Sequence, residues 1–303
     1  MVTVLKSLPL ILKSGAGTLA NAGIDTPNVD AELLAAHVLG ITRSELRHRA
    51  ILDLPMDDDF AATFQKLIEK RATRKPLQHI IGKAPFRYLE LEVGPGVFIP
   101  RPETETVAGA AIEWLNHRAT NRENEGPAIA VDLCTGSGAI AIAIATECPN
   151  TKVYAVELNE TAYNWAKNNI TNLAPEIDLS LIDAQLALPE LYGQVDLVIS
   201  NPPYLAPTEF PKDIEVHTYD PEMALYGHGE DGLKVPLGIV QNAARLLKPG
   251  GLLVIEHGDA QAEPLAQAIS ATRSFTEIQN HQDLTNRDRF ISAVRVFPAA
   301  KTR

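Results

Sequence analysis

Cysteine and positive charge are both scarce in this chain of 303 residues. Only Cys134 and Cys148 occur, without a CxxC pair or a Cys/His cluster, so the sequence indicates neither a disulfide framework nor a metal site. Two isolated thiols are typical of a cytoplasmic protein. Lys and Arg number 27 against 38 Asp and Glu, a net charge of -11. Direct nucleic-acid binding is therefore not expected, because it depends on basic residues that displace counterions.

Long apolar runs are absent as well. Lys6, Pro9 and Lys13 interrupt the apolar start of the chain, which is typical of an amphipathic helix rather than a signal peptide. No segment approaches the roughly 20 apolar residues needed to cross a bilayer. Apolar residues still make up 45% of the composition, enough for a sizeable core. The length favours two domains.

Residues 1–76 carry a helical pattern. Residues 28–39 place apolar side chains at helical spacing behind Pro27, and residues 57–74 begin with acids and end with bases. Pro76 ends the last helix of this part. Basic and acidic residues number ten and nine here, against 17 and 29 in the remainder. We predict a helical domain over residues 1–76, which is also where any polyanion contact belongs.

Residues 77–102 are predicted to link this domain to the next. Large apolar and polar residues alternate over residues 86–93, and Gly-Pro-Gly at 94–96 precedes an apolar run at 97–99. Two such runs around a glycine-rich turn predict a β-hairpin.

The remaining residues, 103–303, alternate apolar runs with helical segments. Pro102 suits the first turn of a helix that we predict to about Trp114, and residues 117–126 are predicted to be an exposed connection. The alternation predicts an α/β domain with an open, mostly parallel, Rossmann-like sheet and helices on both faces. The predicted strands are 129–133, 152–156, 177–182, 195–199 and 252–255, and the crossover helices are 138–146, 160–172 and 233–247.

A nucleoside-type site is predicted where the first of these strands ends. Residues 131–140 close a strand and open a helix, and Gly136 and Gly138 let the backbone pass close to a ligand. Glu157 ends the next strand, where a carboxylate can accept the hydroxyls of a ribose. Asp183 follows the third strand and could accept from an adenine amino group, although a solvated strand-end aspartate is an equal interpretation. The spacing of the small residues in this turn does not by itself distinguish the site from a dinucleotide-binding site.

Asn-Pro-Pro-Tyr at residues 201–204 directly follows another buried strand. Pro202 and Pro203 fix the turn, Asn201 offers a carbonyl acceptor, and Tyr204 offers an aromatic wall for a planar amide or base. An amide or aromatic amine delocalises its nitrogen lone pair. Acceptors at the Asn201 side chain and the Pro202 carbonyl could localise that pair and aim it at an electrophilic methyl. The pattern thus indicates nitrogen methylation without a metal.

The chain resembles the HemK/PrmC protein-glutamine methyltransferases over nearly its whole length. Asn-Pro-Pro-Tyr alone is shared with methyltransferases that act on nucleic-acid bases, whereas Ile-Pro-Arg-Pro-Glu-Thr-Glu at 99–105 is more discriminating. The segments that carry the resemblance are 94–105, 132–138, 157, 201–204, 220–225 and 256–258.

This resemblance implies a class I methyltransferase fold, with S-adenosyl-L-methionine as cofactor and S-adenosyl-L-homocysteine as product. It implies that the helical domain docks class I peptide chain release factors, whose GGQ-loop glutamine is methylated. The cofactor would be held by Cys134, Thr135, Gly136, Ser137, Gly138, Glu157, Asp183, Ala184 and Asn201, and the substrate by Phe98, Arg101, Asn201, Pro202, Pro203 and Tyr204, with Asn201, Pro202 and Tyr204 catalytic.

Two positions depart from the family pattern. Cys134 stands where glycine is common, which we expect to be tolerated if its φ stays negative. Ala184 stands where an aromatic is frequent, and this change could weaken adenine packing.

Two other functions compete with glutamine methylation. A methyltransferase acting on adenine or guanine of DNA or RNA is disfavoured, because the sequence lacks a basic stripe and a separate target-recognition domain. A non-catalytic, cofactor-binding translation adaptor is disfavoured by the intact Asn-Pro-Pro-Tyr.

Overall fold

The computed structural model describes residues 6–121, 126–211 and 213–296. Its elements group into two compact units, one of residues 1–83 with 211–219 and one of residues 84–210 with 220–303. Within the described residues, no helix is long and apolar enough to cross a membrane.

The first unit is a helical bundle. Strands β1 and β2 form a two-stranded antiparallel pair at its start. Leu8, Leu34 and Phe64 are among its most deeply buried side chains. Asp57 caps α4 by accepting the amide hydrogen of Phe60, which explains why this helix begins after a run of acids. The elements are β1 (Lys6–Ser7), α1 (Leu8–Asn21), α2 (Pro27–Leu39), α3 (Arg43–Ile51), β2 (Pro55–Met56), α4 (Asp58–Ala72), α5 (Leu77–Ile81) and, after residue 211, α9 (Ile214–Tyr219).

The second unit begins with a hairpin of two short strands, followed by a long helix and a seven-stranded sheet. A short 3-10 turn, Pro189–Leu191, precedes β8. Its elements are β3 (Lys83–Phe86), β4 (Leu89–Glu92), α6 (Pro102–Asn121), β5 (Ala128–Leu133), α7 (Ala139–Glu147), β6 (Thr151–Glu157), α8 (Glu160–Leu173), β7 (Asp178–Leu181), β8 (Val195–Ser200), α10 (Glu222–Leu225), α11 (Lys234–Leu246), β9 (Leu247–Glu256), α12 (Ala262–Ala271), β10 (Phe275–Gln282) and β11 (Asp288–Arg295).

The sheet has the order β10-β11-β9-β8-β5-β6-β7, in which the five strands from β9 to β7 are parallel. Residues of its central strands alternate between two apolar clusters: Ala130 packs in one, and Val131 in the other. Both faces are therefore covered, and the predicted mostly parallel sheet with helices on both sides is confirmed.

Three predictions of local structure were wrong. The hairpin turns at Arg87 and Tyr88, so residues 97–99 are not its second strand. Helix α6 continues to Asn121 instead of ending near Trp114, because Arg118 in its later part is largely buried and pairs with Asp196. The predicted exposed connection 117–126 is therefore helical to Asn121, and residues 122–125 lie outside the described part. The antiparallel strands β10 and β11 were not predicted.

Candidate active site

The segments predicted to bind a cofactor meet at the carboxyl edge of the parallel strands. Strand order reverses between β5 and β8, the place where open α/β sheets bind ligands. The Ser200 hydroxyl at the end of β8 donates to the Leu133 carbonyl at the end of β5, 2.6 Å away. The Thr135 amide donates to the Val156 carbonyl of β6 at 2.9 Å. The ends of three neighbouring strands are thus joined into one rim.

Asp132 organises the loop after β5 from below. Its Oδ2 atom accepts from the Thr135 hydroxyl at 2.6 Å and from the Ala141 amide, in the first turn of α7, at 3.2 Å. Complete burial raises the pKa of this carboxyl to about 7, and the bond from Thr135 partly opposes the rise. Among the described residues, its Oδ1 atom has no hydrogen-bond partner. A buried carboxylate thus lies beneath the predicted cofactor loop.

Cys134 begins that loop in a left-handed conformation, with φ at 66°. The negative φ under which a cysteine would be tolerated without strain is therefore not present, because the chain turns sharply between β5 and the start of α7. A non-glycine residue in this region costs roughly 1–2 kcal/mol. Burial raises the pKa of the thiol far above its ordinary value, so Cys134 is not an activated nucleophile. Gly136, at φ 59°, has nothing within 4 Å of the position that a Cβ would occupy.

Glu157 ends β6 with a carboxylate that is largely used by the backbone. Oε2 accepts the Gly136 amide hydrogen at 2.9 Å, and Oε1 accepts those of Leu158 and Asn159 at 2.8 Å. Burial raises its pKa, and the three bonds oppose the rise. A carboxylate has about four acceptor positions. One acceptor position therefore remains, on Oε2, whereas two ribose hydroxyls would need two.

Asp183 lies just beyond β7 and is half-buried, with Oδ1 accepting the Gln185 amide hydrogen at 2.9 Å. Ala184 beside it is buried. Asn242 of α11 donates from Nδ2 to the carbonyls of Ala184 and Ala187, at 2.8 and 3.2 Å. The buried Asn242 side chain therefore fixes the backbone of the loop after β7, which contains the proposed adenine-binding residue Asp183.

Asn201 follows β8 directly and is half-buried, and Pro202 beside it is buried. The Asn201 Nδ2 atom donates to the Thr104 hydroxyl oxygen at 3.3 Å. The next residues are held through their backbone: the Tyr204 amide donates to Leu225 at 3.1 Å, and the Tyr204 carbonyl accepts from Gln261 at 2.8 Å. The turn is thus fixed at both ends.

Two glycines let another loop pack against this turn. A Cβ on Gly232, at φ 74°, would lie 2.2 Å from the Tyr204 carbonyl oxygen, and one on Gly227 would lie 2.7 Å from that of Pro203. Real side chains do not approach backbone so closely. The loop of residues 227–232 therefore supports the Asn-Pro-Pro-Tyr turn only because it lacks side chains there.

Phe98 and Arg101 lie together before α6. The Arg101 guanidinium is 4.9 Å from the centre of the Phe98 ring and forms an ion pair with Asp220. Burial raises the pKa of Asp220 to about 6, whereas Arg101 opposes that rise. Asp220 belongs to the 220–225 segment, so two segments that carry the family resemblance meet here.

Sequence reasoning missed the buried polar residues that hold these parts in place. Asn169 of α8 bonds Ser137 and Glu92, and Gln261 bonds Tyr204 and the Asp231 carbonyl. An asparagine on the apolar face of α8, beside Ala166 and Ile170, was the one sequence signal available. The partners of such residues depend on tertiary contacts.

Comparisons with known proteins agree with this architecture. The family model of the PrmC N-terminal domain matches residues 11–82, and that of the methyltransferase small domain matches residues 115–217. The catalytic domain of human METTL16 in complex with the MAT2A 3'UTR hairpin 6 shares the fold, with a TM-score of 0.52 at 15% identity over 77% of this chain and 83% of that one. Fold and site thus define a class I methyltransferase with an added N-terminal helical domain.

The relatives found by sequence similarity are more specific. A release factor glutamine methyltransferase of Streptomyces coelicolor is 47% identical over 92% of this chain and 95% of its own length. One of Bifidobacterium longum is 43% identical, covering 94% and 98%. The chain belongs to the family of release factor glutamine methyltransferases. A 4-amino-L-phenylalanine/4-methylamino-L-phenylalanine methyltransferase of Streptomyces pristinaespiralis is also related, at 34% identity over 97% of both chains.

Proposed function

We propose that this enzyme transfers a methyl group from S-adenosyl-L-methionine to the side-chain amide nitrogen of the GGQ-motif glutamine in class I peptide chain release factors. The observation that carries the proposal is the 43–47% identity, across both units, to proteins that are release factor glutamine methyltransferases. The product is S-adenosyl-L-homocysteine. This substrate would require the enzyme to act in the cytoplasm, where translation takes place.

The loop of residues 134–138, with Glu157, Asp183, Ala184 and Asn201, would hold the cofactor. The fit rests on the open space at Gly136 and on the unpartnered Oδ1 of Asp132. Carboxylates suit a ligand that carries a sulfonium and an ammonium group. Bound S-adenosyl-L-methionine supplies an electrophilic methyl on its sulfonium. No metal enters the proposal, and the described residues contain no cluster of three or more metal-binding side chains.

Asn201 and Pro202 would orient the target nitrogen. The Asn201 Oδ1 atom and the Pro202 backbone carbonyl each accept one hydrogen of the primary amide, which turns the nitrogen lone pair toward the methyl. As the nitrogen–methyl bond forms, the sulfonium S–CH3 bond breaks to leave S-adenosyl-L-homocysteine, and the methylated nitrogen releases one of its hydrogens as a proton to water. His257 has no role in this proposal, because both of its ring nitrogens are already hydrogen-bonded, to the Gly258 carbonyl and to Asn280.

Tyr204 would stack against the planar amide. Burial raises the pKa of its hydroxyl, so the ring stays neutral at physiological pH. Pro203 would shape the same wall, and Phe98 with Arg101 would line the approach of the substrate loop. The helical residues 1–76, whose charges are nearly balanced, would dock the body of the release factor.

The test uses methyl-labelled S-adenosyl-L-methionine with four acceptors: a release factor, its GGQ Gln→Ala variant, a nucleic acid, and 4-amino-L-phenylalanine. Label on the release factor that carries the GGQ glutamine, and on none of the other three acceptors, supports the proposal. Label on nucleic acid would assign the activity to a base methyltransferase, and label on the free amino acid to the reaction of the Streptomyces pristinaespiralis relative.

Asn201→Ala tests the mechanism. The variant loses an acceptor but keeps the loop of residues 134–138, so we expect kcat to fall at least about 100-fold, the size expected for an interaction made with the reacting group. Because Asn201 is also one of the proposed cofactor contacts, S-adenosyl-L-homocysteine affinity should fall by at most about tenfold, the effect of one hydrogen bond. Turnover of this variant equal to that of the wild type would contradict the role assigned to Asn201. Absence of label on all four acceptors with the wild-type enzyme would instead favour a non-catalytic adaptor.

A further inference from the structure

Behind Asn201 lies a pair of buried side chains that the proposed reaction does not yet use. Thr104 in the first turn of α6 is 4% exposed, and Glu256 at the end of β9 is 1% exposed. The Thr104 hydroxyl oxygen lies 3.3 Å from Asn201 Nδ2. A side-chain hydrogen bond also joins Thr104 to Glu256, and it partly opposes the rise to about 8 that burial causes in the pKa of this carboxyl. The three side chains therefore form a chain that leads from the interior to the proposed site of methylation.

Donor and acceptor counting gives this chain a direction. A hydroxyl carries one hydrogen, and because Asn201 Nδ2 donates to the Thr104 oxygen, that hydrogen is left for an oxygen of Glu256. The Thr104 oxygen is then left only as an acceptor toward Asn201. An acceptor selects the NH2 end of the Asn201 amide, so its Oδ1 atom must occupy the other side. That other side is the one available to a substrate.

We propose that Thr104, oriented by Glu256, is a positioning residue that keeps the Asn201 amide turned with Oδ1 toward the substrate nitrogen. The inference rests on the proposed function and deepens it. The two ends of an asparagine amide are almost equal in shape, so packing alone selects between them weakly. A reversed amide would present two N–H donors to the N–H groups of a primary amide and could not accept from them.

Other charged groups near Glu256 do not replace Thr104 in this role. Arg289 attracts the carboxylate but is bonded to Asp283 and Asp259. Glu103 and Asp283 act on Glu256 only by repulsion. Within the described part of the chain, the Glu256 Oε2 atom has no hydrogen-bond partner. Thr104 is thus the side chain through which Glu256 reaches Asn201.

Two substitutions of Thr104 separate orientation from packing. Thr104→Val keeps the shape and loses the hydroxyl, whereas Thr104→Ser keeps the hydroxyl and loses a methyl group. If the hydroxyl orients Asn201, Thr104→Val lowers kcat about tenfold or more, the effect of one hydrogen bond of ordinary net strength. Thr104→Ser then retains most of the wild-type kcat. If Thr104 only fills space, Thr104→Ser lowers kcat more than Thr104→Val does. Thr106→Val, on the same helix and half-buried, is the matched control and is expected to behave as wild type.

Kinetics are measured on the full chain with a release factor at saturating S-adenosyl-L-methionine, beside S-adenosyl-L-homocysteine affinity and melting temperature. We expect the loss in Thr104→Val to fall on kcat, with affinity for S-adenosyl-L-homocysteine within about twofold of wild type. Glu256→Met should lower kcat as well, and combining it with Thr104→Val should add little, because both act through the same bond.

A kcat for Thr104→Val equal to wild type would overturn the proposal, as would Thr104→Ser falling as far as Val. An equal loss of S-adenosyl-L-homocysteine binding would also overturn it, since the residue would then maintain the cofactor site. These outcomes presuppose wild-type methylation of the release factor glutamine. Failure of that wild-type reaction would refute the proposed function instead, so the two failures are distinguishable.

Discussion

Asn169 is the buried residue whose removal should most clearly test how the cofactor loop is held. It is 1% exposed, on the inner face of α8. Its Oδ1 atom accepts the Glu92 amide hydrogen at 2.8 Å, and its Nδ2 atom donates to the carbonyls of Glu92 and Ser137, both at 2.9 Å. One side chain thus connects β4, α8 and the loop that follows β5.

The expected cost of Asn169→Ala follows from these three bonds. Each contributes about 1 kcal/mol net, and a buried group that loses its partner costs roughly 1–3 kcal/mol. Alanine regains a few tenths of a kcal/mol in helix propensity. We expect a loss of about 2–4 kcal/mol, which for a unit of this size corresponds to a fall in melting temperature of roughly 5–12 °C. Because the Ser137 carbonyl is released, S-adenosyl-L-methionine should also bind more weakly.

Tryptophan fluorescence reports the unfolding of the sheet-containing unit, because the chain's two tryptophans lie there: Trp114 in α6 and Trp165 in α8. Asn168→Ala is the matched control: it makes the same change at the neighbouring, exposed position and gains the same helix propensity. A loss in Asn169→Ala below about 1 kcal/mol relative to this control would refute the reasoning, since it would mean that the three bonds contribute nothing beyond solvation.

Two further predictions concern charge and close packing. The pKa of Asp132 is about 7 in the folded chain, above the ordinary unfolded value, so the native state holds the extra proton and the free energy of unfolding falls as pH rises from about 4 to 7. Asp132→Asn should reduce this fall in unfolding free energy between pH 5 and 8 by about 2–3 kcal/mol, measured by urea unfolding at the two pH values without cofactor, and an unchanged fall would contradict it. Gly232→Ala would place a Cβ against the Tyr204 carbonyl, so we expect kcat to fall at least tenfold. Gly193→Ala, also at positive φ but with open space around the added Cβ, is its control, and equal activity of the two variants would argue against that contact.

Patterns within short stretches of sequence were sufficient for much of the architecture. Apolar runs of strand length, separated by helical segments, predicted the parallel strands β5 to β8 to within one residue, whereas β9 begins five residues before the predicted 252–255. Helix α7 reads Ala-Ile-Ala-Ile-Ala-Ile-Ala-Thr-Glu and has no polar face, as expected for a crossover buried against the sheet. Such signals arise from burial, which acts on each segment separately.

Features that depend on pairing were not predictable in the same way. Residues 97–99 look like a strand but have no strand partner, whereas β10 and β11, with mixed polar and apolar composition, pair at the sheet edge. The left-handed φ of Cys134 is imposed by the turn between β5 and α7, against the preference of its own side chain.

The sequence by itself determined the class of fold, the edge of the sheet at which the proposed site residues lie, and the residue types presented there. Those properties follow from periodicity and from motifs whose members are close in the chain. Only the tertiary structure decided which buried groups hold them: Asp132 under its loop, Asn169 behind Ser137, and Glu256 behind Thr104 and Asn201. A polar side chain acquires its orientation from partners that lie up to 152 positions away in sequence, and hydrogen-bond direction exists only once those partners have been brought together.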